Sequence, residues 1–306
     1  MKRVPTVGRL RQRAVVCLAA LLLGFRGASA QLGPEPEKLN LFQMIARSDL
    51  VALVRIRSGS LKYAIVEVQE VLKGTAGLPT LRIAFRDFNF SRRSGEDPIV
   101  FPDGQQEILF LVPYGRQVRR KKARLKNKDL FTLFHERDGR MTLPAEGPEI
   151  ILGAIRRLAE VSGRDPASQI DALKSFLAGD NPFLTEASLQ EIERLHAGDP
   201  AIFPRLLLLL SSRSVALRAG SLRVIGQVFS AGRLEDEVLD EARAALAAVL
   251  EKARNDQDES VRVQAVAAVA AWPNRAEVEQ ELKAIAGTDA AQAVRYEAER
   301  ALFERR

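Results

Sequence analysis

The chain has 306 residues, 46 of them Lys or Arg against 39 Asp or Glu, for a formal net charge of +7. Six of the basic residues and none of the acidic ones fall in the first thirty positions, so the remainder carries only +1, which removes whole-chain charge as an argument for nucleic-acid binding. The one cysteine, Cys17, lies in the same stretch, so the rest of the chain has no thiol, disulfide or thiolate metal ligand.

Lys2, Arg3, Arg9, Arg11 and Arg13 precede an apolar run over 14–25, and Ala28-Ser29-Ala30 follows with the small residues that a signal peptidase accepts. Twelve apolar residues fall short of the roughly 20 that span a bilayer. The pattern predicts a secretory signal over 1–30 and a mature start at Gln31, the alternative being an uncleaved anchor. Cys17 follows Val16 only three residues into the run, which is not a lipobox. An exported chain without disulfides points to a bacterial periplasm or exterior. There, the sequon Asn89-Phe90-Ser91 carries no meaning. No later segment has enough consecutive apolar residues for a transmembrane helix.

Residues 31–147 are expected to form a β domain. A short helix is expected over 38–46. Strands are predicted over 50–56, 63–72, 81–85, 108–112 and 130–134, with a weaker one over 141–143. Ser58-Gly59, Lys73-Gly74, Asp103-Gly104, Pro113-Tyr114-Gly115 and Asp138-Gly139 supply turn chemistry between them. Short strands at this spacing predict a small antiparallel β-barrel or sandwich.

The run Ser48-Asp49-Leu50-Val51-Ala52-Leu53-Val54, then Tyr63-Ala64-Ile65-Val66-Glu67-Val68 and Val71-Leu72-Lys73-Gly74, resembles the opening strands of the netrin-like barrel. That resemblance implies an OB-type fold, as in tissue inhibitors of metalloproteinases. Those inhibitors chelate the protease zinc through an N-terminal cysteine; here the expected mature end is Gln31, so the inhibitory chemistry is not implied.

Two basic stretches interrupt the strands. Phe85, Phe88 and Phe90 alternate with Arg82, Arg86, Arg92 and Arg93, superficially like a nucleic-acid stacking platform, but export and the near-neutral charge favour a cover for the barrel mouth. Between 116 and 128 stand Arg116, Arg119, Arg120, Lys121, Lys122, Arg124, Lys126 and Lys128, with no acidic residue among them. Such a loop either solvates a hairpin tip or meets an anionic partner: lipid, envelope polymer or an acidic protein face. The helical half of this chain, net negative where the β half is net positive, is one such face.

From about 148 the period turns helical, and about nine helices are expected through 306. Asp165-Pro166, Asn181-Pro182 and Asp199-Pro200 each set a capping side chain before a proline at the first helical position. A long helix is expected over 235–254. Four segments share an apolar residue with a small residue four positions on: Leu184/Ser188, Leu217/Ser221, Val261/Ala265 and Val294/Ala298, at intervals of 33, 44 and 33. Ile151/Ile155 continues the series backward in degenerate form. Such periods predict an α-solenoid. Val261-Arg262-Val263-Gln264-Ala265 and Val294-Arg295-Tyr296-Glu297-Ala298 resemble the second helix of HEAT repeats; Leu184-Thr185 departs by lacking the arginine. The resemblance implies a binding scaffold rather than an enzyme.

The chain has no nucleophile elbow, phosphate-binding glycine loop or His-Glu-x-x-His helix. Its two histidines, His135 and His196, fall in different domains, and His196 is expected at a helix C-terminus. Glu235-Asp236-Glu237 and Asp256/Asp258/Glu259 are expected at helix N-termini, where carboxylates complement the helix dipole, although Asp256 and Asp258 loosely suggest a calcium loop. The expectation is an exported, non-enzymatic scaffold without metal or cofactor. It binds a protein partner, with an anionic envelope surface as the alternative partner and an unrecognised carboxylate enzyme as the third reading.

Overall fold

The computed structural model describes residues 39–60, 63–84, 100–114, 130–135, 138–232 and 239–304. The expected signal over 1–30, the Phe85, Phe88 and Phe90 stretch, the basic loop from Arg116 to Lys128 and Glu235-Asp236-Glu237 lie outside the described residues.

Asn40 opens the fold with a capping box. Its side chain accepts the Gln43 N–H at 2.8 Å while its own N–H donates to the Gln43 side chain at 3.1 Å, starting helix α1, Leu41–Arg47. Six strands follow among the described residues: β1 Leu50–Gly59, β2 Tyr63–Lys73, β3 Thr80–Ala84, β4 Gln106–Pro113, β5 Leu130–Leu133 and β6 Arg140–Thr142. They pair in the order β1-β2-β3-β5-β4, and β4 closes on β1 to give a five-strand barrel. Strand β6 lies along the N-terminal part of β4, continuing the side that β5 occupies farther on.

The expectation of an antiparallel barrel needs one correction. β3 and β5 run parallel, with Arg82 opposite Leu130 and Ile83 opposite Phe131. The reason is arithmetic: directions cannot alternate all the way round a ring with an odd number of members, so one seam must be parallel.

Two strands are buried on both faces. Leu50, Ala52, Val54 and Ile56 of β1 and Leu109 and Leu111 of β4 fill the barrel with Ala64, Val66, Leu81, Ile83, Phe131 and Leu133, and Phe101 joins them. The alternate residues Val51, Leu53, Ile108 and Phe110, with Leu72 of β2, join the core formed by the helices. This double burial is why 50–54 and 108–112 read as unbroken apolar runs while β2 alternates.

Nine α-helices follow among the described residues: α2 Pro148–Ser162, α3 Pro166–Phe176, α4 Pro182–Leu195, α5 Phe203–Leu209, α6 Val215–Ser230, α7 Leu239–Asn255, α8 Glu259–Ala270, α9 Arg275–Thr288 and α10 Gln292–Glu304. Asp165, Asn181 and Asp199 cap as expected, each accepting from backbone N–H groups just ahead; Asp199 caps a 3-10 turn, Pro200–Ile202, that leads into α5.

The helices form two layers. α4, α6, α8 and α10 pack successively, and α3, α5, α7 and α9 back them. All eight of the repeating apolar and small positions are buried, from Leu184 and Ser188 to Val294 and Ala298. The helices approach closely: a Cβ on Gly226 of α6 would sit 3.1 Å from the Ala268 Cα of α8. Phe229 packs edge-on to Trp272 at 4.9 Å and tilted against Phe203 at 5.9 Å, tying α6 to both neighbours. This arrangement is a helical solenoid, and its core runs without a break from Phe42 and the outer barrel face to Ala301.

Candidate interaction surface

The residue after the apolar position in three helices does the same work three times. Arg218 of α6 donates through Nη1 to the Ser212 carbonyl at 2.9 Å, Arg262 of α8 to the Asp256 carbonyl at 2.9 Å, and Arg295 of α10 to the Asp289 carbonyl at 2.6 Å. Each carbonyl lies six residues back, in the turn before the helix. In the first two, the rest of the guanidinium reaches forward into the next repeat. Nε and Nη2 of Arg218 hold the Asp256 carboxylate at 2.9 Å each, and those of Arg262 hold Asp289 at 3.0 and 3.2 Å. A planar fork suits this task because its donors fit a carboxylate and a carbonyl at once. Thr185, at the same place in α4, accordingly bonds only nearby carbonyls, those of Phe176 and Asn181.

Burial alone would push the Asp256 and Asp289 carboxyls up. The hydrogen bonds from their arginines and from backbone N–H groups, with the adjacent positive charges, outweigh it and hold both carboxyls below the usual range. Asp258 caps α8 through the N–H groups of Ser260 and Val261. The pair that loosely suggested a calcium loop is therefore committed to an ion pair and a helix start.

The barrel is fixed to the first helices by polar contacts far apart in sequence. Arg156 of α2 grips Glu70 of β2 with two bonds of 2.8 and 2.9 Å. Asn40 donates to Glu191 of α4 at 2.8 Å. Lys73 Nζ donates to the carbonyls of Ile45, Ala46 and Ser48 at 2.6, 2.9 and 2.9 Å, closing the C-terminus of α1. Burial pushes the Lys73 amine down, against the pull of Asp49. Gly74, at φ +81°, stands where any Cβ would collide with the Asp49 carbonyl. Lys73-Gly74 is thus a clamp as well as a turn. An open hollow of about 680 Å³ beside it is lined by Arg47, Asp49, Lys73 and Phe134 among others, and the lysine there is already saturated with carbonyls.

Inside the barrel, Glu107 of β4 is fully buried, with Arg140 of β6 at 3.2 Å. Arg140 also donates to the Val100 carbonyl and lies over the Phe101 ring at 4.8 Å. Burial pushes the Glu107 carboxyl up, against Arg140.

His135 follows β5 with its Nδ1 3.0 Å from the Asp138 carboxylate, and His196 ends α4 in the left-handed conformation. No cluster of three or more metal-ligating side chains occurs among the described residues. No described helix is long and apolar enough to cross a membrane. Arg82 lies over the Tyr63 ring at 5.9 Å on the outer barrel face. The eight candidate cations between Arg116 and Lys128 are outside the described residues. The strands that flank them pair up to Pro113 opposite Phe131.

No family model matches this chain, and no curated protein does. Among solved structures, an engineered protein is 20% identical, covering 50% of this chain and 74% of its own, with a TM-score of 0.37. A designed armadillo repeat protein in complex with the peptide (KR)4 is 18% identical, covering 50% of this chain and 75% of its own, also with a TM-score of 0.37. Computationally designed armadillo repeat proteins for modular peptide recognition match at 19% identity and a TM-score of 0.36, over 50% of this chain and 75% of theirs. The helix layers and the arginine ladder, rather than these matches, make the C-terminal half a solenoid.

Proposed function

We propose that the chain is an exported, non-enzymatic scaffold whose solenoid binds a protein partner. The observation that carries the reading is the arginine ladder, which ties α6 to the repeat of α8 and α8 to the repeat of α10. Rigid, evenly spaced helices offer a preorganised face, which lowers the ordering cost of binding. The Val-Arg pairs with an alanine four after the valine, together with that ladder, support the HEAT type. The ring order with its single parallel seam supports an OB-type barrel. The netrin-like assignment rests on the strand resemblance, and export rests on the pattern over 1–30.

A photo-crosslinking residue at Gln190 of α4 or Ala267 of α8 should trap one discrete protein in the native envelope. The same residue at Lys283 of α9, in the other layer, should not. Equal adducts from both layers, or none, would reject the scaffold reading.

A second reading rests on the eight cations between Arg116 and Lys128, which stand in the sequence between the paired strands β4 and β5. Here the loop touches anionic lipid or polymer. Each Lys or Arg near an anionic membrane contributes roughly 1 kcal/mol, weakened as the screening length shrinks with salt. Replacing Arg119, Arg120, Lys121 and Lys122 by Gln should abolish liposome binding without changing the circular dichroism. Salt-insensitive binding by both proteins, or binding by neither, returns the loop to a solvated hairpin tip.

A further inference from the structure

From the third rung of the ladder we infer that a second copy of this chain docks on α10, two α10 helices packing antiparallel about a two-fold axis.

The interior of the solenoid defines which face is in question. In α6, a Cβ on Gly226 would press on Ala268 of the following helix, and Ala219, seven positions earlier on the same face, is buried. Counting from the repeating apolar residue, the same two positions in α10 are Tyr296 and Phe303. They are 66% and 75% exposed, the two most exposed large apolar side chains among the described residues. Gln292, Tyr296, Glu299 and Phe303 follow one another at intervals of four, three and four and are all exposed, so they form one continuous stripe.

The charge on this face is as specific as the aromatics. Arg218 and Arg262 each hold a carboxylate of the next repeat through Nε and Nη2. Arg295 is fastened only through Nη1, to the Asp289 and Ala290 carbonyls, and its remaining fork has no acceptor among the described residues. A carboxylate presented by a second copy would complete that rung as Asp256 and Asp289 complete the other two. Glu299 lies one turn beyond Arg295 on the same helix and is exposed. An antiparallel partner centred near Glu297 brings Glu299 of each copy to Arg295 of the other. The same register sets Tyr296 beside Tyr296 and lays Phe303 over the start of the other α10. The surface is self-complementary, as a two-fold contact requires. One helix per partner is a small contact, so the dimer is reversible and concentration-dependent.

Sedimentation velocity on the purified protein over a wide concentration range reads this directly. Wild type shifts from monomer to dimer. Tyr296→Arg and Glu299→Arg each raise the dissociation constant at least about tenfold with unchanged thermal melts, because both side chains are exposed. In a Cys17→Ser background, Tyr296→Cys forms a disulfide-linked dimer under mild oxidation, and Ala216→Cys, exposed on α6, does not. A monomer at every concentration with no disulfide at position 296 overturns the inference. So does a dimer indifferent to both substitutions, or an open-ended polymer.

Discussion

At the residue scale, the repeats of the solenoid are joined by largely buried ion pairs whose acidic members its sequence period does not single out. Arg262 and Asp289 are both largely buried, and each is hydrogen-bonded to the other and to backbone. Removing one partner strands the other, which costs about 3 kcal/mol for a buried pair. Arg262→Met should lower the urea midpoint accordingly; a change within error would mean that the rung carries no energy. The pair also sets an acid sensitivity. Asp256 and Asp289 are held below the ordinary value of 3.8, so each contributes stability that is fully present above that pH. It is lost as the pH falls through 3.8 toward the lower folded values. Wild type should therefore lose more stability between pH 7 and pH 3 than Arg262→Met, measured by denaturant titration at the two pH values. Glu107 has the opposite sign. Its carboxyl is pushed up by burial, so its charged form weakens the fold at neutral pH and protonation relieves it. Glu107→Gln should be as stable as wild type or more so at pH 7, and that advantage should shrink as the pH falls. A large loss at pH 7 would show that the ion pair with Arg140 outweighs its desolvation.

At the scale of elements, close approach decides what is tolerated. Gly226→Val would force α6 and α8 apart where a single Cβ already comes within 3.1 Å, and overpacking of this kind costs roughly 1–3 kcal/mol. Differential scanning calorimetry should show a lowered melting temperature, and an unchanged one would mean that the helices yield. Elements were the most legible level of the sequence. β1 was expected to end at 56, yet it pairs on to Gly59, because the last residues are exposed and periodicity registers only the buried part. The helix starts were readable because Asp165, Asn181 and Asp199 carry their own signal. The partners of the arginines were not, since Arg218 meets Asp256 thirty-eight positions away and Arg156 meets Glu70 eighty-six away. No local pattern encodes such distances. The same limit let Asp256 and Asp258 suggest a cation loop, when an arginine from another helix had already claimed the first of them.

At the scale of the molecule, the barrel serves as the N-terminal cap of the solenoid. Repeat arrays need a terminal unit that hides the last apolar face, and here Val51, Leu53, Leu72, Ile108 and Phe110 do so from the outer barrel wall. All of the described residues accordingly belong to one compact unit, Leu39–Arg306. Heat should unfold barrel and helices in one transition, followed together by near-ultraviolet and far-ultraviolet circular dichroism. A fragment of residues 39–147 should expose that wall and bind a hydrophobic dye. Two separated transitions, or a well-folded fragment with no dye binding, would make the two halves independent.

The parallel seam has a temporal consequence. β1, β2 and β3 can zip in turn as they are made, but the other edge of β3 must wait for β5, because Arg82 meets Leu130 forty-eight positions later. Closing so long a loop is entropically costly and slow compared with pairing neighbours. Until residue 133 has emerged, a growing chain holds an open sheet with bare edges, and the outer wall stays bare until α2 arrives. The helices that follow depend mainly on contacts with near neighbours and can add one after another. The closing of the five-membered ring is then the step expected to be slowest, and the window before it is when a chaperone or a neighbouring chain has most to grasp.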